Sequence, residues 1–314
     1  MLKQRLLYGS LMIVAIVGIV ILDGWLSQSA LTRAISAPEL GAPGDTTLLR
    51  CALPITLLVV FLCVLATYEM SHLCQAGGFR PAAHWAALVS AGLAFLPWLE
   101  MQNLQARVAI PIHLSLWWLT GGLLGTCLAL LLRKTTERAL SNMALTMFLI
   151  LYLGLLGSFA VRIRCLLPGA AGAGLVVYFI LTVKSSDIGA YFTGLAFGRH
   201  KLIPWLSPGK TIEGAVGAVV FSALVAAGGV YLWESLPILG PAPLKIPQAL
   251  AFGAVMAIAG HLGDLTESAF KRDMGVKDSG QVVPAFGGLL DILDSPLFTA
   301  PIAWFVFNIG MGGR

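Results

Sequence analysis

Charge is what this chain has least of. Acidic and basic residues make up 11% of its 314 positions, against about a quarter in soluble globular domains, and that shortage excludes an ordinary water-soluble fold. Hydrophobic residues fill 58% of the chain instead, so the expected class is an all-α, polytopic integral membrane protein. Cysteine is scarce too. Cys51, Cys63, Cys74, Cys127 and Cys165 are odd in number and lack C-x-x-C spacing, which argues for small core residues rather than zinc ligands or disulfides. No basic run is present either. The net charge of +5 is scattered between apolar stretches, a pattern that argues against a nucleic-acid partner and suits anionic membrane lipid.

Apolar runs of about 15 to 22 residues, the length a helix needs to cross a bilayer, begin near Leu6, Ala52, His84, His113, Ala139, Cys165, Ile212, Pro247 and Leu289. About nine spans are therefore expected. Lys3 and Arg5 before Leu6–Leu22 resemble the start of a signal peptide, but that run is long enough to span, so an uncleaved first helix is predicted. With a cytoplasmic N-terminus, thirteen of the 20 Lys and Arg residues fall inside, leaving Arg33, Arg50, Arg107, Arg162, Arg164, Lys245 and Arg314 outside. The bias predicts N-in, C-out. Residues 1–160 then form N-terminal membrane helices, and 161–314 form C-terminal ones carrying cytoplasmic loops within a single membrane domain. Ser27–Arg50 reads as an external loop, and Trp25, Trp98, Trp117, Trp118 and Trp233 near span ends read as interfacial anchors. Glycines between Gly169 and Gly174 suggest close helix packing.

The few charges crowd into two islands. His261–Pro296 (HLGDLTESAFKRDMGVKDSGQVVPAFGGLLDILDSP) opens as a helix with Asp264, Glu267, Ser268 and Lys271 at i, i+3, i+4 and i+7, one polar stripe. Asp273–Gly288 should be a loop, and a second helix starting near Leu289 carries Asp291 and Asp294 on one face. Carboxylates at a membrane helix are unfavourable by several kcal/mol unless paired or bound to a cation. If Asp264, Asp291 and Asp294 converge from two helices, an all-oxygen site for Mg²⁺ results, with Lys271, Arg272 and Lys277 taking phosphate charge. The competing reading is a salt-bridge cluster that only staples two helices.

The second island, Lys184–Gly214, contains Ser207-Pro208-Gly209-Lys210-Thr211. It is not a Walker A loop, because Pro204 stands where that motif needs its first glycine. It reads instead as a cytoplasmic loop bearing Asp187, Arg199, Lys201, Lys210 and Thr211, with a helix starting near Thr211 whose free N–H groups suit a phosphate.

In both islands the spacing resembles the phosphatidate cytidylyltransferases (CDP-diacylglycerol synthases). In the family pattern S-x-x-K-R-x4-K-D, then P-x-H-G-G-x-x-D-R-x-D, this chain supplies Ser268, Lys271, Arg272, Lys277, Asp278, Pro284, Gly287, Gly288, Asp291 and Asp294. It departs at Phe286 for His and at Ile292 for Arg. Upstream, Asp187, Gly189–Phe192, Gly194, Phe197–Arg199, Lys201, Leu202, Pro204, Ser207, Pro208, Lys210, Thr211, Glu213 and Gly214 match, with Ile188 in place of Thr. The resemblance covers Lys184 to Pro296.

That resemblance implies an enzyme joining CTP and phosphatidate into CDP-diacylglycerol and pyrophosphate for phospholipid biosynthesis, at the cytoplasmic face of the cell inner membrane. Joined to the reading of the residues above, it makes Asp264, Asp291 and Asp294 the expected Mg²⁺ ligands, with a second cation left open. Lys271, Arg272, Ser268, Lys277 and Asp278 become the catalytic set. Asp187, Ser207, Lys210, Thr211 and Arg199 become substrate contacts. A homodimer is compatible with the pattern. A CTP-dependent lipid-alcohol kinase, an ion-coupled secondary transporter and a non-catalytic membrane scaffold are the rival readings, and the crowding of charge into one end of the chain disfavours the transporter.

Overall fold

The computed structural model describes residues 14–29, 52–106, 114–276 and 288–312. Helices α1 (Val14–Ser29), α2 (Leu53–Ala76), α3 (Ala83–Ala106), α4 (Leu114–Leu132), α5 (Ala139–Leu149) and α6 (Leu156–Arg164) come first. A π-helical turn, Ile150–Leu155, joins α5 to α6, so the two form one continuous rod. Then follow α7 (Gly169–Phe197), a hairpin of β1 (Lys201–Ile203) and β2 (Ser207–Thr211), α8 (Ile212–Glu234), α9 (Ile246–Asp273) and α10 (Leu290–Gly312).

Among the described residues, seven helical rods are long and apolar enough to cross a membrane. After the first predicted run, each predicted start lies within four residues of a helix start. The start of the first run lies outside the described residues, as does most of the predicted external loop.

The chain divides into two compact units. The first, Met1–Ala173 with Asp273–Leu290, is built on α3, which packs against α2, α4, the π turn and α6. At the π turn, a Cβ on Gly154 would sit 2.6 Å from the Ser90 backbone, so only glycine permits that approach. The same unit holds a buried ion pair. Arg164 donates from Nε to Asp23 at 2.6 Å and from Nη2 to the Ser27 hydroxyl at 2.7 Å. The second Asp23 oxygen accepts from the Ile55 amide at 3.2 Å, and Ser27 Oγ accepts from Ala52. Gly172 leaves room for the guanidinium, because a Cβ there would meet Arg164 Nη1 at 2.1 Å. The predicted role of the Gly169–Gly174 glycines in close packing is thus visible at Gly172.

The second unit, Gly174–Arg272 with Asp291–Arg314, has an aromatic core. Tyr178 stacks on Phe252 at 5.9 Å, and Phe252 meets Phe307 at 4.9 Å. Small residues let the helices close around it. Ser222 donates to the Thr182 carbonyl and Tyr178 to that of Ala226, tying α7 to α8. Where α8 crosses α9, a Cβ on Gly253 would lie 2.4 Å from the Ser222 carbonyl oxygen. Gly253→Ala is expected to force the two helices apart and lower stability by about 1–3 kcal/mol, read as a reduced midpoint of thermal unfolding in detergent; an unchanged midpoint would contradict this packing.

Two tryptophans predicted as interfacial anchors are core residues instead. Trp98 and Trp233 are buried, the latter donating to the Gly240 carbonyl, whereas Trp25, Trp117 and Trp118 are exposed. Of the four described cysteines, all free thiols, Cys63 and Cys74 are buried and Cys127 and Cys165 are half-buried.

Candidate active site

The second unit brings most of the predicted site residues together. Helix α7 runs through to Phe197 rather than ending in a loop, so Asp187 projects from a helix and pairs with Lys184 one turn earlier at 3.4 Å. The stretch after it, predicted as loop, is the two-stranded antiparallel hairpin, with Lys201 opposite Thr211 and Ile203 opposite Ser207. It is fastened at its base by Glu213, whose carboxylate accepts from the Arg199 and His200 amides and from His200 Nδ1 at 2.6 Å. Thr211 ends β2 and caps α8, its Oγ1 accepting from the Gly214 amide at 3.1 Å, as a threonine at that position does. The helix start near Thr211 is therefore where the sequence placed it.

From the end of the hairpin, Lys210 reaches α9 and bonds Asp264 Oδ2 at 3.0 Å. The other Asp264 oxygen accepts from the Ser295 hydroxyl at 2.8 Å. Ser295 belongs to α10, and its backbone N–H also donates to Asp294 at 2.6 Å. Asp264 and Asp294 lie within hydrogen-bonding reach of one another, and Glu267 stands in the same relation to Asp294. One turn further along α9, Lys271 sits between Asp291 at 2.6 Å and Glu267 at 3.3 Å. The result is a row of four acids across α9 and α10, with Lys210 of β2 at one end and Lys271 between the last two.

The backbone holds this spacing. A Cβ on Gly263 would stand 2.9 Å from the Asp294 carbonyl oxygen, so α9 and α10 touch main chain to main chain beside the acids. Asp294 and Glu267 are nearly inaccessible, at 4% and 3% exposure, whereas Asp264 opens onto a cavity of about 430 Å³. Asp187, Tyr191, Lys210, Thr211 and His261 share its wall. That volume lies within the range of small-molecule sites.

Oxygen donors alone, with two carboxyls near enough to need a proton or a cation between them, fit a hard divalent ion in their chemistry. Asp264 and Asp294 are that pair. Asp291 is turned to Lys271, and among the described residues no three His, Cys, Asp or Glu side chains are arranged as a ready metal cage.

Of the remaining predicted residues, Ser207 is half-buried in β2, Ser268 is half-buried on α9, and Arg199 and Arg272 are exposed. Lys277 and Asp278 lie outside the described residues, as do Pro284, Phe286 and Gly287. Three contributors were not in the predicted site: Glu267, Ser295 and Tyr191. Glu267 had a signal in its spacing on the α9 stripe. Ser295 and Tyr191 had only adjacency to residues already chosen.

The sequence profile of the cytidylyltransferase family matches residues 31–310. Among curated relatives, the chain is 43% identical over 136 residues to an uncharacterized protein, YnbB, of Escherichia coli (strain K12), covering 43% of this chain and 42% of that one. It is 38% identical over 159 residues to a phosphatidate cytidylyltransferase of Bacillus subtilis (strain 168), covering 51% and 56%. A phosphatidate cytidylyltransferase of Staphylococcus haemolyticus (strain JCSC1435) is 40% identical over 131 residues, covering 42% and 48%. The chain thus spans about half the length of these curated relatives.

Proposed function

Because the chain belongs to the cytidylyltransferase family, we propose that it transfers the cytidylyl group of CTP to phosphatidate, releasing pyrophosphate and leaving CDP-diacylglycerol in the membrane. The observation that carries this reading is the cavity where Lys210, Asp264 and Asp187 meet. Its rim is hydrocarbon: Tyr191 and Leu195 line it and are 65% and 74% exposed. A polar cavity with a greasy rim suits a phosphate on an acyl tail better than a soluble acceptor.

A phosphate oxygen of phosphatidate attacks the α-phosphorus of CTP, the bond from that phosphorus to the bridging oxygen breaks, and pyrophosphate departs. The attacking phosphate is already an anion at neutral pH, so this chain has no need of a strong base. Its residues position and neutralise instead. Lys210 and the start of α8 receive the triphosphate, with Thr211 fixing that helix end. Lys271, released from Asp291 by an incoming phosphate, takes lipid or leaving-group charge together with Arg272, Lys277 and Ser268. Asp278 orients Lys277, and Ser207 and Arg199 flank the nucleotide. Asp264 and Asp294 would hold a divalent cation, Mg²⁺ by the chemistry of the donors, with Asp291 as the third acid once Lys271 leaves it. When bound, the ion neutralises triphosphate charge. We place the N-terminus and the site on the cytoplasmic side, where CTP is, with nine spans including α1 and α3.

The test is an assay of the purified full chain with labelled CTP, phosphatidate or diacylglycerol, and graded Mg²⁺. Expected are CDP-diacylglycerol and pyrophosphate only when phosphatidate and the cation are both present, and a fall of at least about a hundredfold in Asp291→Ala. CDP with a new phospholipid from diacylglycerol would instead identify a lipid kinase.

A further inference from the structure

The first unit contains a larger cavity, of about 820 Å³, lined by none of the residues assigned above to the reaction. It lies where the α2–α3 turn (residues 77–82) meets the end of α4, and its wall includes Gln75, Phe79, Arg80, His84, Trp85 and Arg133. Among the described residues no carboxylate lines it, and the acid of the adjoining α4–α5 turn, Glu137, is not in its wall. Its basic groups are set in a braced frame. Arg133 donates to the carbonyls of Arg80 and Pro81, and Asn142 accepts from the Arg80 amide at 2.7 Å. Arg138 lies over the Phe79 ring and bonds the Gly78 carbonyl at 3.0 Å. Trp85 is wedged against α4, donating to the Gly122 carbonyl at 3.0 Å, and a Cβ on Gly125 would stand 2.0 Å from its ring.

A guanidinium carries five N–H donors, and the frame engages two nitrogens of Arg133. The exposed Arg80 side chain is held at the cavity only through its backbone. Among the described residues, then, no acid offsets the positive charge that the cavity presents at the ends of membrane helices. Directly along those helices the surface turns to hydrocarbon. Leu88, one turn beyond His84, is 56% exposed, and Leu128, Leu131 and Leu132, just before Arg133, are 56%, 74% and 71% exposed.

We propose that this cavity seats the phosphate of an anionic phospholipid, with its acyl chains along Leu88 and the end of α4. Positive charge at the headgroup level above bare hydrocarbon matches both parts of such a lipid, and neither part of a soluble anion matches the leucines. The site takes no part in catalysis, and its test does not depend on the activity of the chain.

The experiment is native mass spectrometry of the full chain in detergent, titrated with phosphatidylglycerol, phosphatidylcholine or inorganic phosphate. The wild type should retain phosphatidylglycerol in preference to phosphatidylcholine, and Arg80→Gln should weaken that retention about fivefold while leaving phosphatidylcholine unchanged. Equal retention by wild type and variant would overturn the proposal, as would equal retention of the two lipids. Displacement of the bound lipid by millimolar inorganic phosphate would reassign the cavity to a soluble anion. Independently of any variant, a phosphatidylglycerol carrying a photoreactive headgroup should crosslink the wild-type chain within residues 75–85 or at Arg133; adducts confined elsewhere would also refute it.

Discussion

Asp264→Asn is expected to lower cytidylyl transfer by at least about a thousandfold while leaving the chain folded. The substitution keeps the shape of the side chain and its acceptance from Ser295, but removes the charge that faces Lys210 at 3.0 Å and Asp294 across the helix crossing. Loss of the charge should abolish cation dependence as well as rate, since one member of the acid pair can no longer ligate as an anion. Lys210→Met should act differently. It leaves both acids in place, so the cation requirement should persist while the Michaelis constant for CTP rises. Rates of CDP-diacylglycerol formation against Mg²⁺ and CTP concentration distinguish the two, and an Asp264→Asn protein within tenfold of wild type would remove Asp264 from the site.

The second large effect is on stability. Asp23→Ala should destabilise the first unit by about 3–5 kcal/mol, because it leaves the Arg164 guanidinium charged and unpaired where water does not reach. Arg164 is 2% exposed and Asp23 is wholly buried, and the pair also secures α1 to the start of α2 through the Ile55 amide. Replacing both partners at once, Asp23→Leu with Arg164→Met, should recover most of that loss, since no orphaned charge remains. Thermal unfolding in detergent reads both variants. Comparable midpoints for Asp23→Ala and wild type would mean that the pair contributes nothing.

Helix positions were legible because hydropathy reports directly on what a bilayer tolerates, and eight runs from Ala52 onward coincide with rods in the structure. What hydropathy cannot see is pairing. Arg164 entered the sequence count as an outside charge, yet it is buried against Asp23, so it carries no weight in a topology argument that assumes a solvated loop. The hairpin at Lys201–Thr211 escaped notice because its two strands are too short for an alternating pattern and are held by Glu213, a contact 13 residues away from His200.

Within the candidate site, the charged residues other than Glu267 were found, and the serine that joins two of the acids was not. Ser295 has no side chain unusual for a membrane helix, and its part follows only from the register in which α10 meets α9. Glu69 is a similar case. Near the end of α2, in the first unit, it accepts from the Leu289 and Leu290 amides, the donors that a helix beginning there leaves unpaired.

The contact at Gly263 reaches beyond packing. With bare backbone on one side and a carbonyl on the other, the gauge between the two acids is set by atoms that have no rotamers to adjust. A single methyl there would widen it without altering any charge. Selectivity among ions of different radius would then shift before affinity for either substrate did, and the ratio of rates with Mg²⁺ and Ca²⁺ would be the first quantity to move.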